Sequence, residues 1–464
     1  MIRGYAEQPS PHPGDRLTLR VATDAPRFRV EFYRCGADLV WCGQTDWLPG
    51  RDAPLHLPFA DWGRPGRGLH GEPLAPWPAY AVALPADIAS GVYLAAFVEG
   101  DAAGRETARP DCTTPDGRTA KALFTVRAAP GREARILYKL PLLTYHAYNL
   151  GGDAPYDNKT RQGHWCLYNP PWLRHVALPF PPGVSLHRPG GGTGATPYDT
   201  FNFDPFDPTP RQTFVHWDAR FVTWMERAGY TADYCTDVDL HRDGPALLAP
   251  YKLLVSVGHD EYWSEAMRDA VEDFIAAGGN TAFFSGNTAW WRVVFHDDVT
   301  FSRVGQWHET DRPENTMIGV SFRNGGERDK NDHPQPVGYQ VQHADHWVYD
   351  GTGLRDGDIF GGAGEYIAGY ECDGVEFDRA DLEAGRPVAP TGVDGAPAEF
   401  IILGIADARP SGWGFGNGAA TMGLFTRGGT VFNGATTDWA RVLTGGSSPQ
   451  VERITRNVLD RLSV

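Results

Sequence analysis

The chain has 464 residues, a hydrophobic content of 41% and a formal net charge of −16. These values fit a globular protein of two or three domains and disfavour an intrinsically disordered chain. The acidic excess argues against duplex nucleic acid and anionic membrane surfaces as partners. The first ten residues lack a secretory signal, and no apolar run approaches the roughly 18 residues of a membrane span. We therefore predict a cytoplasmic protein without a membrane partner.

Residues 1–130 show short alternating apolar and polar segments without a helical period. These segments are RLTLRV from Arg16, FRVEFY from Phe28, YAVAL from Tyr80, VYLAAFV from Val92 and LFTV from Leu123. Separated by Gly, Pro and Asp clusters, they predict an antiparallel, Ig-like β-sandwich. For the function of this domain, the pattern favours a scaffold or a contact between subunits over a sugar-binding module. Its apolar faces are compatible with a homo-oligomer.

A different pattern begins after a linker at Ala129–Arg132, so we predict a second domain at 131–464. Residues 136–143 predict a strand, residues 211–228 a helix and residues 230–236 the next strand. Together with the segment that follows, this order predicts an α/β fold with a doubly wound, flavodoxin-like parallel sheet. Further strands are predicted at 317–322, 400–406, 420–426 and 429–432, and an amphipathic helix at 449–462.

The stretch from Tyr251 to Arg292 is the most regular part of this domain. An apolar run at 253–257 predicts a strand that is buried on both faces. Ser264 is positioned to cap a helix that ends at the glycines 278 and 279. A second buried strand is predicted at 281–285. The stretch is therefore a βαβ unit.

Polar side chains follow the strands of this domain. His259, Glu261 and Tyr262 come after the first strand of the βαβ unit, Asn287 after the second, and Glu371 beside a later strand. Because ligands bind at the carboxyl ends of the strands in open α/β sheets, we expect an active site here. The alternative is structural, with the same residues capping the following helix and packing against it.

The residues at this site are compatible with three kinds of chemistry to different degrees. Nucleophilic acyl transfer is disfavoured because no GxSxG motif occurs and no cysteine lies at 258–263. Metal-assisted hydrolysis fits, since a phenolate from Tyr262 and carboxylates from neighbouring loops suit a hard cation such as Fe(III). HDEYW differs from HExxH, which excludes a helix-borne zinc pair there. Pure binding by stacking aromatic residues stays open.

The run VSVGHDEYWSEAMRDAVEDFIAAGGNTAFFSGNTAWWRV resembles the large-subunit family of N,N-dimethylformamidase. The segments TYHAYN, YCTDVDLH, RPENTMIGVSF and GYECDG resemble that family too. The resemblance implies a β-sandwich followed by a glutamine-amidotransferase-like α/β domain. It also implies that the partner of this protein is a small N-substituted amide. This substrate would be hydrolysed at a mononuclear iron bound by two tyrosines and one glutamate.

The resemblance carries over to individual residues. The family's H-x-E-Y segment matches His259, Glu261 and Tyr262, which makes Tyr262 the first iron ligand. Tyr234 is the second tyrosine by this comparison, with Tyr230 and Tyr145 as alternatives. Glu371 in GYECD is the glutamate ligand, with Glu309 as the alternative.

The remaining roles at the site go to three residues. His259 or Glu261 is expected to shuttle the proton, and Asn287 to donate a hydrogen bond to the developing oxyanion. Two other functions are alternatives to this one. The first is a catalytically silent amidotransferase-like module that binds carbohydrate or peptide through Trp-rich loops. The second is a zinc hydrolase that cleaves another bond. Metal analysis of the purified protein separates the three.

Overall fold

The computed structural model describes residues 2–53, 77–112, 120–149, 167, 183–194, 207–327, 338–362, 364–409, 416–445 and 448–464. They form two compact units, each made of three chain segments. Unit 1 comprises Met1–Glu133, Leu142–Val238 and Val293–Val304, and unit 2 comprises Ala134–Pro141, Asp239–Arg292 and Gly305–Val464. The domain boundary at residue 130 stays a prediction.

The described residues form a mixed α/β fold with more strand than helix. The strands are β1 (Ile2–Ala6), β2 (Arg16–Thr23), β3 (Arg27–Cys35), β4 (Leu39–Gln44), β5 (Leu48–Pro49), β6 (Ala79–Ala83), β7 (Gly91–Gly100), β8 (Glu106–Ala108), β9 (Lys121–Val126), β10 (Ile136–Leu140), β11 (Gly183–Ser185), β12 (Ala232–Thr236), β13 (Leu253–His259), β14 (Tyr262–Ser264), β15 (Asn280–Gly286), β16 (Trp291–Phe295), β17 (Thr300–Gln306), β18 (Ser321–Glu327), β19 (Tyr339–Val341), β20 (Ile359–Phe360), β21 (Glu371–Gly374), β22 (Ile401–Asp407), β23 (Ala419–Arg427) and β24 (Gly429–Asn433).

Most of the helices are short. They are α1 (Leu142–Tyr148), α2 (Phe214–Trp217), α3 (Ala219–Arg227), α4 (Asp237–Asp243), α5 (Pro245–Leu248), α6 (Glu265–Ala276), α7 (Asn315–Ile318), α8 (Arg379–Glu383), α9 (Trp439–Thr444) and α10 (Pro449–Leu462), with 3-10 turns at Trp307–Glu309 and Trp347–Tyr349. In the part of the chain that the structure describes, no helix is long and apolar enough to span a bilayer.

Unit 1 contains two antiparallel sheets with a shared core. One sheet has the order β1-β2-β6, and the other has the order β4-β3-β7-β8, with β9 also paired to β7. Alternate residues of β2 and β3, such as Leu17, Leu19 and Phe28, are fully buried in one apolar cluster. Phe28 meets Tyr80 edge-on at 4.8 Å between ring centroids. The five strands predicted before residue 130 are confirmed.

The chain between residues 136 and 228 departs from the predicted elements. The helix predicted at 211–228 consists of α2 and α3, which meet at Asp218. The buried carboxylate of Asp218 accepts a hydrogen bond from the Tyr145 hydroxyl. The strand predicted at 136–143 ends at Leu140, because Pro141 has no N–H for a sheet ladder and α1 begins at Leu142.

Unit 2 is built on a mixed sheet. β10, β13, β15 and β24 lie side by side and run parallel. The sheet continues through β23, β22, β19 and β20 with antiparallel pairs. α6 connects β13 to β15, and the Ser264 side chain accepts a hydrogen bond from the Met267 N–H at its start. The predicted βαβ unit is therefore confirmed.

Two later predictions had different outcomes. The strand predicted at 317–322 is wrong in its first half, because residues Asn315–Ile318 form α7 and β18 begins only at Ser321. Gly319, with φ +88°, ends the helix in the left-handed conformation. A short apolar run does not distinguish a buried helical turn from a strand. The C-terminal helix is confirmed at its predicted bounds.

Candidate functional site

The candidate site lies in unit 2, where β13 and β15 end side by side. β13 and β15 pair in parallel up to His259 and Gly286, so the residues that follow them start from one edge of the sheet. Gly258 has φ +69°, a conformation that glycine adopts without steric cost. A third strand, β21, supplies Glu371 and Asp373. All of the functional side chains at this edge are buried.

Two carboxylates flank one imidazole. His259 Nε2 lies 2.6 Å from Glu371 Oε2 and 3.4 Å from Glu261 Oε2. The His259 ring is fully buried, and Tyr370 meets it edge-on with 6.2 Å between ring centroids. Charges that are shielded from water interact strongly, so these three side chains influence one another more than they would in solvent.

Asn287 joins the same two carboxylates from the end of β15. Its side-chain nitrogen donates to Glu261 Oε1 at 3.1 Å and to Glu371 Oε2 at 3.2 Å. Its backbone is left-handed, with φ +50°. That conformation is uncommon for residues with a side chain, although asparagine tolerates it better than most. The contacts around Asn287 therefore hold its backbone in this conformation.

Asp373 holds the backbone of this turn. Its two carboxylate oxygens accept the N–H groups of Asn287 at 2.9 Å and Thr288 at 3.2 Å. Burial raises the pKa of Asp373 to about 8, and these two N–H bonds oppose the shift. Gly286 packs tightly on the other side of this turn. A Cβ at this position would collide with the backbone of Glu371 and Thr437.

A second buried charge cluster sits at the same sheet edge. Lys139 Nζ lies 2.7 Å from Asp260 Oδ2, and both side chains are fully buried. Ser256 donates to the same carboxylate at 2.5 Å, and Trp263 Nε1 donates at 3.1 Å. The ammonium also lies 4.8 Å from the centre of the Trp263 ring. This ion pair anchors the turn between His259 and Glu261.

The structure brings together four of the six predicted site residues, namely His259, Glu261, Asn287 and Glu371. Tyr262, the fifth, is fully buried at the start of β14, directly after Glu261. The roles assigned to these residues stay predictions.

Tyr234, the sixth, belongs to unit 1. It lies on β12, its N–H bonds to Ser90 Oγ at 3.0 Å, and burial raises the pKa of its phenol. Arg34 and Glu226 of unit 1 are the charged groups that influence it most strongly. The alternatives for the second tyrosine ligand, Tyr145 and Tyr230, also belong to unit 1.

The donor chemistry in unit 2 fits a hard cation in part. Glu261, Glu371 and Tyr262 offer carboxylate and phenol oxygens, which such ions prefer. Within the described ranges, no group of three or more His, Cys, Asp or Glu side chains could hold a metal ion. Glu309, the alternative glutamate, instead accepts the Gln306 N–H at 3.2 Å.

Sequence reasoning missed two residues at this edge. The sequence does indicate Asp373, because it stands two positions after Glu371 and therefore lies on the same face of a strand. No feature of the sequence indicates that Lys139 belongs to the site. It reaches Asp260 only because β10 pairs with β13 in a register that sets Lys139 opposite Ser256.

Comparison with known proteins points to one family. The family model described as N,N-dimethylformamidase beta subunit-like, C-terminal, matches residues 70–452. The N,N-dimethylformamidase beta subunit of Paracoccus aminophilus is 26% identical over 281 residues, which cover 52% of this chain and 36% of that protein. The one from an Alcaligenes species is 27% identical over 199 residues, which cover 37% of this chain and 25% of that protein. The chain thus matches about a third or less of these relatives.

A solved structure of a ThuA-like protein from Bacteroides uniformis was also found. It shares 14% sequence identity with a TM-score of 0.29, over 52% of this chain and 81% of that one. A score this low supports no conclusion about the fold.

Proposed function

Because the chain belongs to the family of N,N-dimethylformamidase beta subunit-like proteins, we propose that it hydrolyses the C–N bond of a small, non-peptide amide. The observation that carries the proposal is the buried contact of 2.6 Å between His259 Nε2 and Glu371 Oε2 at the ends of parallel strands. A base that is shielded from water and oriented by a carboxylate is what proton transfer to an amide nitrogen requires.

In this proposal His259 moves the proton. A water oxygen forms a bond to the amide carbonyl carbon, and one water proton passes to the His259 imidazole. The C–N bond then breaks, the same proton goes to the departing nitrogen, and a carboxylic acid and an amine leave. Glu371 and Glu261, at 2.6 and 3.4 Å, stabilise the protonated ring while it holds the proton. Such acid–base catalysis contributes about 10²–10⁴ in rate.

Asn287 is the proposed donor to the developing oxyanion. An amide nitrogen carries two hydrogens, and in the absence of substrate both are used by Glu261 and Glu371. The role therefore requires that one of these two bonds is exchanged for a bond to the substrate oxygen.

We further propose iron as the cofactor, with Tyr262, Glu371 and the predicted Tyr234 as its ligands. When bound, such an ion supplies a Lewis acid and lowers the pKa of a coordinated water. The anionic oxygen donors of this set support a hard cation over zinc. The ligands come from the family resemblance, and the buried phenol of Tyr262 beside Glu261 is consistent with it.

Metal analysis of the purified protein tests the ligand set. Tyr262→Phe should lower the iron content and weaken any visible absorption band, because it removes one phenolate. Tyr339→Phe is the matched control, since Tyr339 is also a fully buried tyrosine of unit 2 and its hydroxyl donates to the Gly434 carbonyl at 2.6 Å. Unchanged iron and absorption in Tyr262→Phe would remove Tyr262 from the ligand set.

Two finer points of architecture belong to the same proposal. We infer that the four adjacent parallel strands of unit 2 belong to a doubly wound, glutamine-amidotransferase-like domain, because α6 links two of them as a βαβ crossover. We also propose that the chain works in an assembly, since the matched relatives are named as beta subunits. Light scattering of the purified chain tests the second point, and a monomeric mass at working concentration would contradict a homo-oligomer.

A further inference from the structure

Asp260 lies between His259, the proposed proton carrier, and Glu261, one of the carboxylates that contact its ring. Side chains alternate along an extended chain, so residues 259 and 261 project to one side and residue 260 projects to the other. The 3.4 Å contact between His259 Nε2 and Glu261 Oε2 agrees with this alternation. Whatever fixes the Asp260 side chain therefore also sets the direction in which His259 and Glu261 project.

The Asp260 carboxylate is fixed by three buried side chains. Lys139 Nζ reaches it from β10 at 2.7 Å, Ser256 Oγ donates to it at 2.5 Å, and Trp263 Nε1 donates to it at 3.1 Å. All four side chains are buried, so the ion pair is only weakly screened by water and salt. The three donors together hold the carboxylate in one direction.

The backbone of Asp260 connects this fixed point to the neighbouring strand end. Its carbonyl accepts the Ala289 N–H at 2.9 Å, two residues after Asn287. Asn287 has φ +50° and Ala289 has φ +54°, so this turn contains two left-handed residues that its surroundings must hold in place. Asp260 therefore joins the His259 end of β13 to the turn that carries Asn287.

We infer that Lys139 and Asp260 are positioning residues of the proposed hydrolysis, which set the placement of His259 relative to Asn287. The inference rests on the proposed function and gives the buried ion pair a catalytic consequence. A displacement of about 1 Å in a catalytic group can cost about 10²-fold in rate. Because the ion pair acts through His259 and Asn287, its loss should lower kcat and change KM little.

The test separates positioning from stability by comparing two variants of the ion pair. Lys139→Met removes only the cation, whereas Lys139→Met/Asp260→Asn removes both charges and should therefore recover most of the stability. We expect kcat per folded enzyme to fall by about 10-fold to 100-fold in both variants, because methionine cannot donate to the turn. A kcat that recovers together with stability in the double variant would overturn the inference.

Arg268→Met is the matched control. Arg268 is another fully buried cation of unit 2, and its side chain bonds to Glu272 at 2.7 Å. This variant should lower stability and leave kcat per folded enzyme unchanged. An equal loss of kcat in Arg268→Met would show that any destabilised variant of this unit loses activity, and the inference would then fail.

A second readout does not depend on activity. NMR of protein with isotope-labelled histidine reports the ring nitrogens of His259, whose Nε2 lies 2.6 Å from Glu371 Oε2. We expect Lys139→Met to shift these signals and Arg268→Met to leave them unchanged. If the wild-type protein hydrolyses no small amide, the proposed function is wrong and these signals alone decide the inference. Shifted His259 signals in Lys139→Met would then support the positioning of this ring, and unchanged signals would overturn it.

Discussion

Two buried charge clusters share one sheet edge of unit 2, and they differ in how completely their members are paired. The Asp260 cluster is closed, since Lys139, Ser256 and Trp263 all direct hydrogens at one carboxylate. The His259 cluster is open, since two carboxylates share one imidazole and one amide, and no donor among the described residues reaches Asn287 Oδ1. Residues 259, 260 and 261 are consecutive in the chain. In the function proposed above, the closed cluster holds the turn and the open one meets the substrate.

The largest effect should come from the proton carrier of the open cluster. His259→Gln keeps a side-chain N–H that can donate to Glu371 but cannot hold a transferable proton. We expect kcat/KM on the amide substrate to fall by about 10²–10⁴. Thermal unfolding should shift much less than for a variant in the closed cluster. A variant that keeps more than a tenth of the activity would contradict the role of His259.

The second largest effect should come from the loss of the buried ion pair between Lys139 and Asp260. Lys139→Met leaves Asp260 buried without its counter-charge, and breaking such a pair costs about 3–5 kcal/mol. Chemical denaturation measures this loss. The double variant Lys139→Met/Asp260→Asn removes both charges, so it should recover most of the stability. If the double variant is no more stable than the single one, the cost does not come from an uncompensated charge.

The pH dependence of stability should be governed in part by Asp373. Burial raises its pKa to about 8, so the folded protein keeps a proton that the unfolded chain releases near pH 4. The free energy of unfolding should therefore fall as the pH rises from about 4 to 8, by a few kcal/mol at most. Asp373→Asn should flatten this part of the profile, as measured by urea denaturation at a series of pH values.

Asp407 provides a control, because its pKa is shifted in the opposite direction to that of Asp373. Burial alone would raise the pKa of Asp407, but hydrogen bonds from Arg409 and Arg379 lower it overall. Its contribution to stability is present at neutral pH and is lost as the pH falls below the ordinary range of a carboxyl group. Asp407→Asn should therefore change the acid limb of the profile. A matching change between pH 4 and 8 would show that the two sites were assigned wrongly.

The smallest effect should come from the helix cap that ends the turn. The Ser264 hydroxyl accepts the Met267 N–H at 3.3 Å, and His241 Nδ1 lies 2.8 Å from the same oxygen. Ser264→Ala should cost about 1 kcal/mol of unfolding free energy. The activity on the amide substrate should stay the same, because the Ser264 hydroxyl bonds Met267 and His241, which belong to neither cluster. A changed activity would mean that the turn is less rigid than its bonds indicate.

The predictable part of this fold is the part set by local pattern. β13, α6 and β15 follow from an apolar run, a serine cap and a pair of glycines, and all three lie where the sequence places them. The helix α10 follows from its spacing of apolar residues. The elements α1 and α7 were missed because short apolar runs are buried in either conformation, and only Pro141 and the positive φ of Gly319 decide them.

The candidate site was predictable to a similar extent. His259, Glu261 and Asn287 lie at the ends of strands that sequence pattern predicts, and parallel pairing then brings them together. The pairing of Lys139 with Asp260 depends on strand register, which the sequence of either strand leaves open. The contacts of the Asn287 amide with Glu261 and Glu371 depend on three strands at once. No single motif could have indicated them.

The left-handed backbone at residue 287 has a consequence for anyone who redesigns this pocket. Only glycine, asparagine and aspartate occupy that conformation readily, and β-branched residues are nearly excluded from it. A saturation library at this position would therefore sample backbone distortion along with chemistry for most of its members. Substitutions at neighbours such as Glu261, whose φ is not positive, would change the chemistry of the site without this backbone restriction.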